Sequence, residues 1–183
     1  MIVSVYIAVS LDGFIARKDG SVDWLEHESG AEDYGYRSFI ETVDVLAMGR
    51  NTFDQVRSFD GNWPYQVPVV VVTRAMSEDD VPADLVGRVS VSARKPEALL
   101  RQLAERGAKH VYVDGGLLVQ SFLHAGLVDR LILTRLPVLL GDGIPLFGPL
   151  DGDLRFEHAT TKSFPSGLVQ TEYRSLRHTQ PAT

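Results

Sequence analysis

The sequence predicts an α/β fold, with a mostly parallel central sheet, helices packed on it and an antiparallel hairpin at the C-terminal end. Three observations lead there. Short β-branched runs such as "VPVVVVT" alternate with segments of helical period such as "KPEALLRQLAERGAK". Glycine and proline punctuate the connections. The last two strand-like runs, "RFEHATTKSF" and "LVQTEYRSL", are separated only by Pro165-Ser166-Gly167, a turn composition.

The elements follow in order. "IVSVYIAV" (2–9) is apolar without a helical stripe and reads as a buried strand. A long segment punctuated by Gly13, Gly20 and Gly30 comes next, of the size that usually serves a function. A helix over 30–42, a strand over 43–48, a short helix over 51–57 and a strand over 67–73 are expected. "RAMSEDDVPADLVG" is loop-like and "RVSVS" is a short strand. The segment after it places Leu99, Leu100, Leu103 and Ala104 on one helical face, with Gly107 as the stop. "HVYVD" is a strand, "GLLVQSFLHAG" a helix and "VDRLILTRL" (128–136) another strand. With no repeat or linker, residues 1–176 read as a single domain and 177–183 as a flexible tail.

Composition narrows the function. The 183-residue chain is 44% hydrophobic, enough for one sizeable core. It has no cysteine, which excludes disulfides and thiolate chemistry and suits a reducing compartment. A net charge of −6 without a basic cluster argues against nucleic acid. No apolar stretch spans a bilayer and no leader opens the sequence, so the cytoplasm is expected. The five histidines, at 27, 110, 124, 158 and 178, lack metal-ligand spacing, and no metal is expected. Overall acidity still permits an anionic ligand, because charges beyond about 8 Å are screened at physiological salt.

In open α/β sheets, ligands bind beyond the carboxyl ends of the strands. Three such ends carry suggestive residues: Gly49-Arg50-Asn51-Thr52, Thr73-Arg74 and Asp114-Gly115-Gly116. A strand handing over to a helix leaves unpaired N–H groups that attract phosphate, and glycine lets a backbone approach it closely. Each stretch also has a plain structural reading: a tight turn, a solvated arginine, an arginine paired with a nearby carboxylate. Three on one rim, with two arginines, suit a ligand with two separated anionic groups, such as a dinucleotide bearing a 2′-phosphate.

"AVSLDGFIA", "MGRNTF", "VVVVTR", "VYVDGGLLVQSFL" and "LILTRLPVLLGDGIPLF" resemble the dihydrofolate reductase-like superfamily. They are most similar to the reductase domain of bifunctional riboflavin-biosynthesis enzymes and its stand-alone bacterial relatives. The resemblance implies a dihydrofolate reductase-like three-layer fold and NADPH binding. Ala8 and Ile15 would then bracket the nicotinamide end, and Gly49, Arg50 and Thr52 would hold phosphate. Thr73 and Arg74 would meet the 2′-phosphate, with Gly115, Gly116 and Leu117 at the close backbone approach. A cis peptide at or just before the glycine pair is a feature of some superfamily members.

Hydride transfer to a C=N or C=O bond also needs a proton. In "SGAED", Ser29 and Glu32 form a capping-box pattern that leaves Asp33 free as the donor. By the resemblance, Asp33 falls where folate reductases carry their carboxylate, and Thr134 matches the strand residue that supports it. The competing reading pairs Asp33 with Arg37 on the surface. Trp24 either walls the substrate pocket or anchors its loop, and Tyr36 joins it as a substrate-side candidate or a core residue.

Two departures limit the substrate. "NWPYQVPVVVV" lacks the arginine that grips a folate carboxylate, and the chain has no zinc-deaminase motif. The expected function is therefore an NADPH-dependent reductase of a small heterocycle or related C=N/C=O compound. The alternatives are the pyrimidine-phosphate reductase of riboflavin biosynthesis, dihydrofolate reductase, and a non-catalytic nucleotide-binding or dimerising module. The run "LTRLPVLLGDGIPLFG" (133–148) and the resemblance together suggest a homodimer.

Overall fold

A computed structural model describes residues 1–28, 32–59 and 61–178; for residues 26–28 and 178 only the backbone is described. The parallel strands are β1 (Ile2–Val9), β3 (Val45–Gly49), β4 (Val69–Val72), β5 (Val89–Ser92), β6 (His110–Asp114) and β7 (Arg130–Arg135). With β9 (Phe156–Ser163) and β10 (Val169–Ser175) they form one eight-stranded sheet, in the order β5-β4-β3-β6-β1-β7-β10-β9. The β10 strand runs antiparallel to both β7 and β9, which makes the expected hairpin. Register pairs Met48 with Asp114, Gly49 with Val72 and Ala8 with Thr134, so the carboxyl ends of β3, β4, β6, β1 and β7 share one rim.

The strand sequences explain their burial. In a strand successive side chains point to opposite faces. Leu46, Met48, Val69, Val71 and Tyr112 enter one core, joined by Phe39 and Phe53. Ala47, Val70, Val111 and Val113 enter the other, joined by Leu99, Leu103, Leu118 and Phe122. Helices α1 (Tyr36–Ile40) and α2 (Arg50–Ser58) therefore cover the first face, and α3 (Pro96–Glu105) and α4 (Gly116–His124) the second. This three-layer, doubly covered sheet is why β4 can be four consecutive valines.

The helix expected over 30–42 is only Tyr36–Ile40 among the described residues. Tyr34 (φ 52°) and Gly35 (φ 89°) adopt left-handed backbone, which ends any helix immediately before them. Two short strands escaped sequence reading: β2 (Phe14–Ala16) pairs antiparallel with β8 (Ile144–Pro145). Their partners lie some 130 residues apart in the chain, so neither segment carries the pattern alone. At the C-terminal end, Leu176–His178 form a single 3₁₀ turn, and Arg177 is held by Asp129 and the Gly126 carbonyl. Arg177, the first residue of the expected tail, is thus anchored, and residues 179–183 lie outside the described residues.

Candidate active site

The rim is built where two helices begin side by side. Strand β3 passes directly into α2 and β6 into α4, and neither helix has a side-chain cap or an acidic residue in its first turn. Their leading N–H groups and dipoles therefore lack a side-chain cap, and Asp114 accepts from the Gly115 amide just ahead of α4. The two turns also touch. A Cβ placed on Gly115 (φ 90°) would lie 2.2 Å from the Thr52 hydroxyl oxygen, and one on Gly116 would lie 2.9 Å from Ile15. The glycine pair thus lets the second turn close onto Thr52 and onto the β2–β8 flap. All peptide bonds among the described residues are trans.

The structure accordingly brings Ile15, Gly49, Thr52, Gly115 and Gly116 together. Leu117, 74% exposed at the start of α4, presents an apolar surface to solvent beside them. Thr73 and exposed Arg74 follow β4, next to Gly49 in the sheet, and Thr73 turns its hydroxyl onto the Ala75 amide at 3.0 Å. The structural reading of Arg50 holds in part: its Nε donates to both oxygens of Asp54 at 2.8 and 2.7 Å. The next strand end adds a residue the sequence left unremarked. Arg94, two residues past β5, is exposed, and β5 neighbours β4. Its position after "RVSVS" copies that of Arg74 after "VVVV", which is the signal that could have found it.

Ala8 and Thr134 are register partners on β1 and β7, and Thr134 is 5% exposed. The Thr134 hydroxyl accepts a hydrogen bond from Gln170 Nε2 at 2.9 Å. The same amide reaches the Tyr6 hydroxyl at 2.8 Å and the Tyr34 carbonyl at 3.2 Å. Gln170, from the antiparallel strand, is therefore the hub that ties the Tyr34 segment to the sheet. Nothing in its local sequence marks it.

Asp33 is not free. Its Oδ1 accepts from the Gly35 amide at 3.0 Å and its Oδ2 from the Arg37 amide at 3.1 Å, so it caps α1 from an exposed position. These two backbone donors, with Arg37 nearby, hold its carboxyl below the ordinary range. The capping pattern assigned to Ser29 and Glu32 cannot be placed, since Ser29 lies outside the described residues. Trp24 is 5% exposed and packs with Leu136 and Leu168, in the loop-anchor position. Tyr36 stays partly exposed, with its ring edge-on to Tyr6 at 5.6 Å.

A different carboxyl has the unusual chemistry. Asp114, the last residue of β6, lies deep at the middle of the sheet, while the residue keeps part of its surface open. Desolvation pushes its pKa up to about 6, against the lowering effect of the Gly115 amide, 2.8 Å from Oδ1, and of the Tyr112 hydroxyl. Burial pushes Tyr36 up to about 12 and raises Tyr65, with the charge of Asp114 adding to both. The sequence places Asp114 at a strand end but does not reveal that the fold buries its carboxyl there.

Comparison with known proteins agrees with this architecture. The profile of the RibD C-terminal domain matches residues 2–170. Protein YwjB of Bacillus subtilis, itself uncharacterized, is 38% identical over 169 residues, covering 92% of this chain and 95% of its own. The riboflavin biosynthesis protein RibD of Corynebacterium ammoniagenes is 32% identical over 90% of this chain, which spans about half (52%) of that protein. A crystal structure from Shewanella sp. PV-4, provisionally named a riboflavin biosynthesis protein, superposes with a TM-score of 0.91 at 41% identity, covering 97% of this chain and 100% of that one. The bifunctional deaminase/reductase of Thermotoga maritima shares the fold at a TM-score of 0.71 and 18% identity, covering 95% of this chain and 56% of that one. The chain therefore belongs to the RibD C-terminal domain family, a reductase-domain family with the dihydrofolate reductase-like fold.

Proposed function

We propose that this protein is an NADPH-dependent reductase acting on a C=N or C=O bond of a small heterocyclic compound. The observation that carries the reading is the pair of uncapped helix ends, α2 and α4, which start side by side with two exposed arginines on adjacent strand ends. The residues present fit the cofactor: two helix ends suit its pyrophosphate, and Arg74 with Arg94 suits a 2′-phosphate. Gly49, Arg50, Thr52 and the Gly115-Gly116-Leu117 turn would hold the phosphates. Thr73 would stand beside Arg74. Ala8 and Ile15 would border the nicotinamide end, where the bound cofactor supplies a hydride.

The chain's own part is to exclude water and manage the proton. Ile15, Ile144 and Leu117 give that end an apolar border. Asp114, with its pKa near 6, can hold or release a proton at its carboxyl close to neutral pH, whereas the backbone donors on Asp33 favour its ionised form. Asp114 is therefore our candidate for the proton-handling group, while Gln170 ties Thr134 to the Tyr34 segment. Exposed Leu139 (68%) and Phe147 (50%), in the run 133–148, support a homodimer through that face.

Fluorescence titration with NADPH and NADH tests the assignment. Saturable NADPH binding, tighter than NADH, is expected; a folded protein that binds neither would favour the non-catalytic module. Growth rescue of cells lacking the riboflavin or folate reductase would reassign the substrate to that pathway. Light scattering at micromolar concentration should give twice the 20.2 kDa chain mass, and a monomer would refute the dimer.

A further inference from the structure

A carboxylate in the loop after β1 is engaged by the chain itself on both oxygens. Asp12 Oδ1 accepts from the Ser10 hydroxyl at 2.6 Å and from the Leu140 amide at 3.2 Å, and Oδ2 accepts from the Gly141 amide at 2.7 Å. Fully buried Ser10 accepts in turn from the Phe14 amide at 2.9 Å. The Ser10 hydroxyl, ahead of the Gly141 and Leu140 amides, holds the Asp12 carboxyl below the ordinary range. Ionised, it gives these donors charge-assisted hydrogen bonds. The stretch Ser10–Gly13 makes its own turn, whereas Leu140 and Gly141 come from 128 and 129 residues further along the chain.

What Asp12 grips is the turn that delivers β8. The segment from Val138 to Leu146 wraps residues 11–13: the Leu11 amide donates to the Val138 carbonyl at 2.8 Å, and the Leu146 amide to the Gly13 carbonyl at 3.0 Å. Between those ends the Asp12 carboxylate holds Leu140 and Gly141, where Gly141 takes left-handed backbone (φ 75°). Three residues later Ile144 begins β8 and pairs with Ala16. Gly143 packs so closely that a Cβ on it would stand 2.4 Å from the Ala16 carbonyl oxygen, which leaves β8 little freedom to slide. Ile144 then reaches the start of α4, where a Cβ on Gly116 would lie 3.3 Å from it and 2.9 Å from Ile15. Two further ties hold the wrap. Gln120 Nε2 donates to the Pro145 carbonyl at 2.8 Å, and Lys18 pairs with Asp142 in an exposed contact, the weaker kind.

We propose that Asp12 is a positioning residue for the nicotinamide end of the cofactor, acting through the Leu140–Gly141 turn to set Ile144 beside Ile15 at the start of α4. This rests on the reductase reading above and adds a residue to it. A nicotinamide needs its apolar border in a fixed place, because a loose border admits water and lets the ring leave its productive position. The opposite end of the cofactor, assigned to Arg74 and Arg94 after β4 and β5, is set apart from this wrap, since β3 and β6 stand between β4 and β1 in the sheet. The two ends of one ligand therefore respond differently to the loss of Asp12. Asparagine keeps the shape but replaces one acceptor oxygen by a donor amide and removes the charge, so one of the bound N–H groups loses its partner.

Calorimetric titration of the intact chain with NADPH and with adenosine 2′,5′-bisphosphate, which lacks the nicotinamide, tests this. Asp12→Asn should weaken NADPH about tenfold and leave the bisphosphate within about twofold of the native affinity. Ile144→Ala should reproduce that pattern. The double variant should lose no more than the larger single loss, because both changes act on one wall. The emission of NADPH at saturation reads the surroundings of the nicotinamide, and in each variant it should move toward that of the free cofactor. Unchanged NADPH affinity, equal losses for the two ligands, or additive losses in the double variant would overturn the proposal while the reductase reading stands. Circular dichroism checks folding, and Asp12→Ser provides a second substitution with the same expected pattern. If neither variant folds, Asp12 belongs to the fold as a whole and the proposal fails. Absence of NADPH binding by the native chain would instead remove the cofactor reading itself.

Discussion

Asp114→Asn should stabilise the protein at neutral pH and leave its stability nearly unchanged in acid. In the folded chain the Asp114 carboxyl has a pKa of about 6, above its ordinary 3.8. Between those values the folded state holds a proton that the unfolded state has lost, so stability falls as pH rises. The full contribution is present below pH ~4 and is lost as pH passes ~6. A shift of roughly two units corresponds to about 3 kcal/mol at about 1.4 kcal/mol per unit. Because the residue keeps some solvent access, about 1–3 kcal/mol is the working range. Asparagine retains the shape and an acceptor for the Gly115 amide but has no charge to desolvate. Urea unfolding of both proteins from pH 4 to pH 8 reads the effect. The variant's advantage should grow between pH 4 and 6.5 and then level off. A difference that stays flat across that range, or a variant less stable at pH 8, would refute the desolvation account.

Three other expectations concern the rim and α1. Arg74→Ala should weaken NADPH by about 1.5–3 kcal/mol, the range for a charged hydrogen bond, and hardly alter NADH; Arg94→Ala should move the same way, and equal losses for both cofactors would remove these residues from 2′-phosphate reading. Gly115→Ala should destabilise the fold by about 2–4 kcal/mol, through about 1–3 kcal/mol of backbone strain and overlap with Thr52, and Thr52→Ala should relieve only the overlap. A loss below about 0.5 kcal/mol in denaturant titration would mean that the two turns are not pressed together. Asp33→Ala should cost about 1 kcal/mol of stability through the lost cap, whereas Asp33→Asn should keep most of the cap and the turnover; collapse of turnover in Asp33→Asn with NADPH binding intact would return the proton to Asp33.

What the sequence made legible was local. Four consecutive valines mark a strand buried on both faces, and Gly-Arg or Gly-Gly after an apolar run marks a strand-to-helix handover. These signals located β3–α2, β4 and β6–α4, and with them most of the rim. The less legible parts were made by partners far apart in the chain. The β2–β8 flap pairs Phe14 with Pro145, and Gln170 reaches Tyr6 and Thr134 from the opposite end of the sequence. Asp114 acquires its raised pKa from burial at the end of β6, which no spacing rule in the sequence reveals. The expectation that Asp33 stands free was overturned by a local feature instead. A left-handed Tyr34–Gly35 pair shortens the helix, so the acid expected to stand free becomes its cap.

A crystal structure of the protein grown with NADPH tests the central claim most directly. The account predicts the pyrophosphate against the first-turn amides of α2 and α4, and the 2′-phosphate between Arg74 and Arg94. A cofactor bound away from those two helix ends, with both arginines left in solvent, would contradict it.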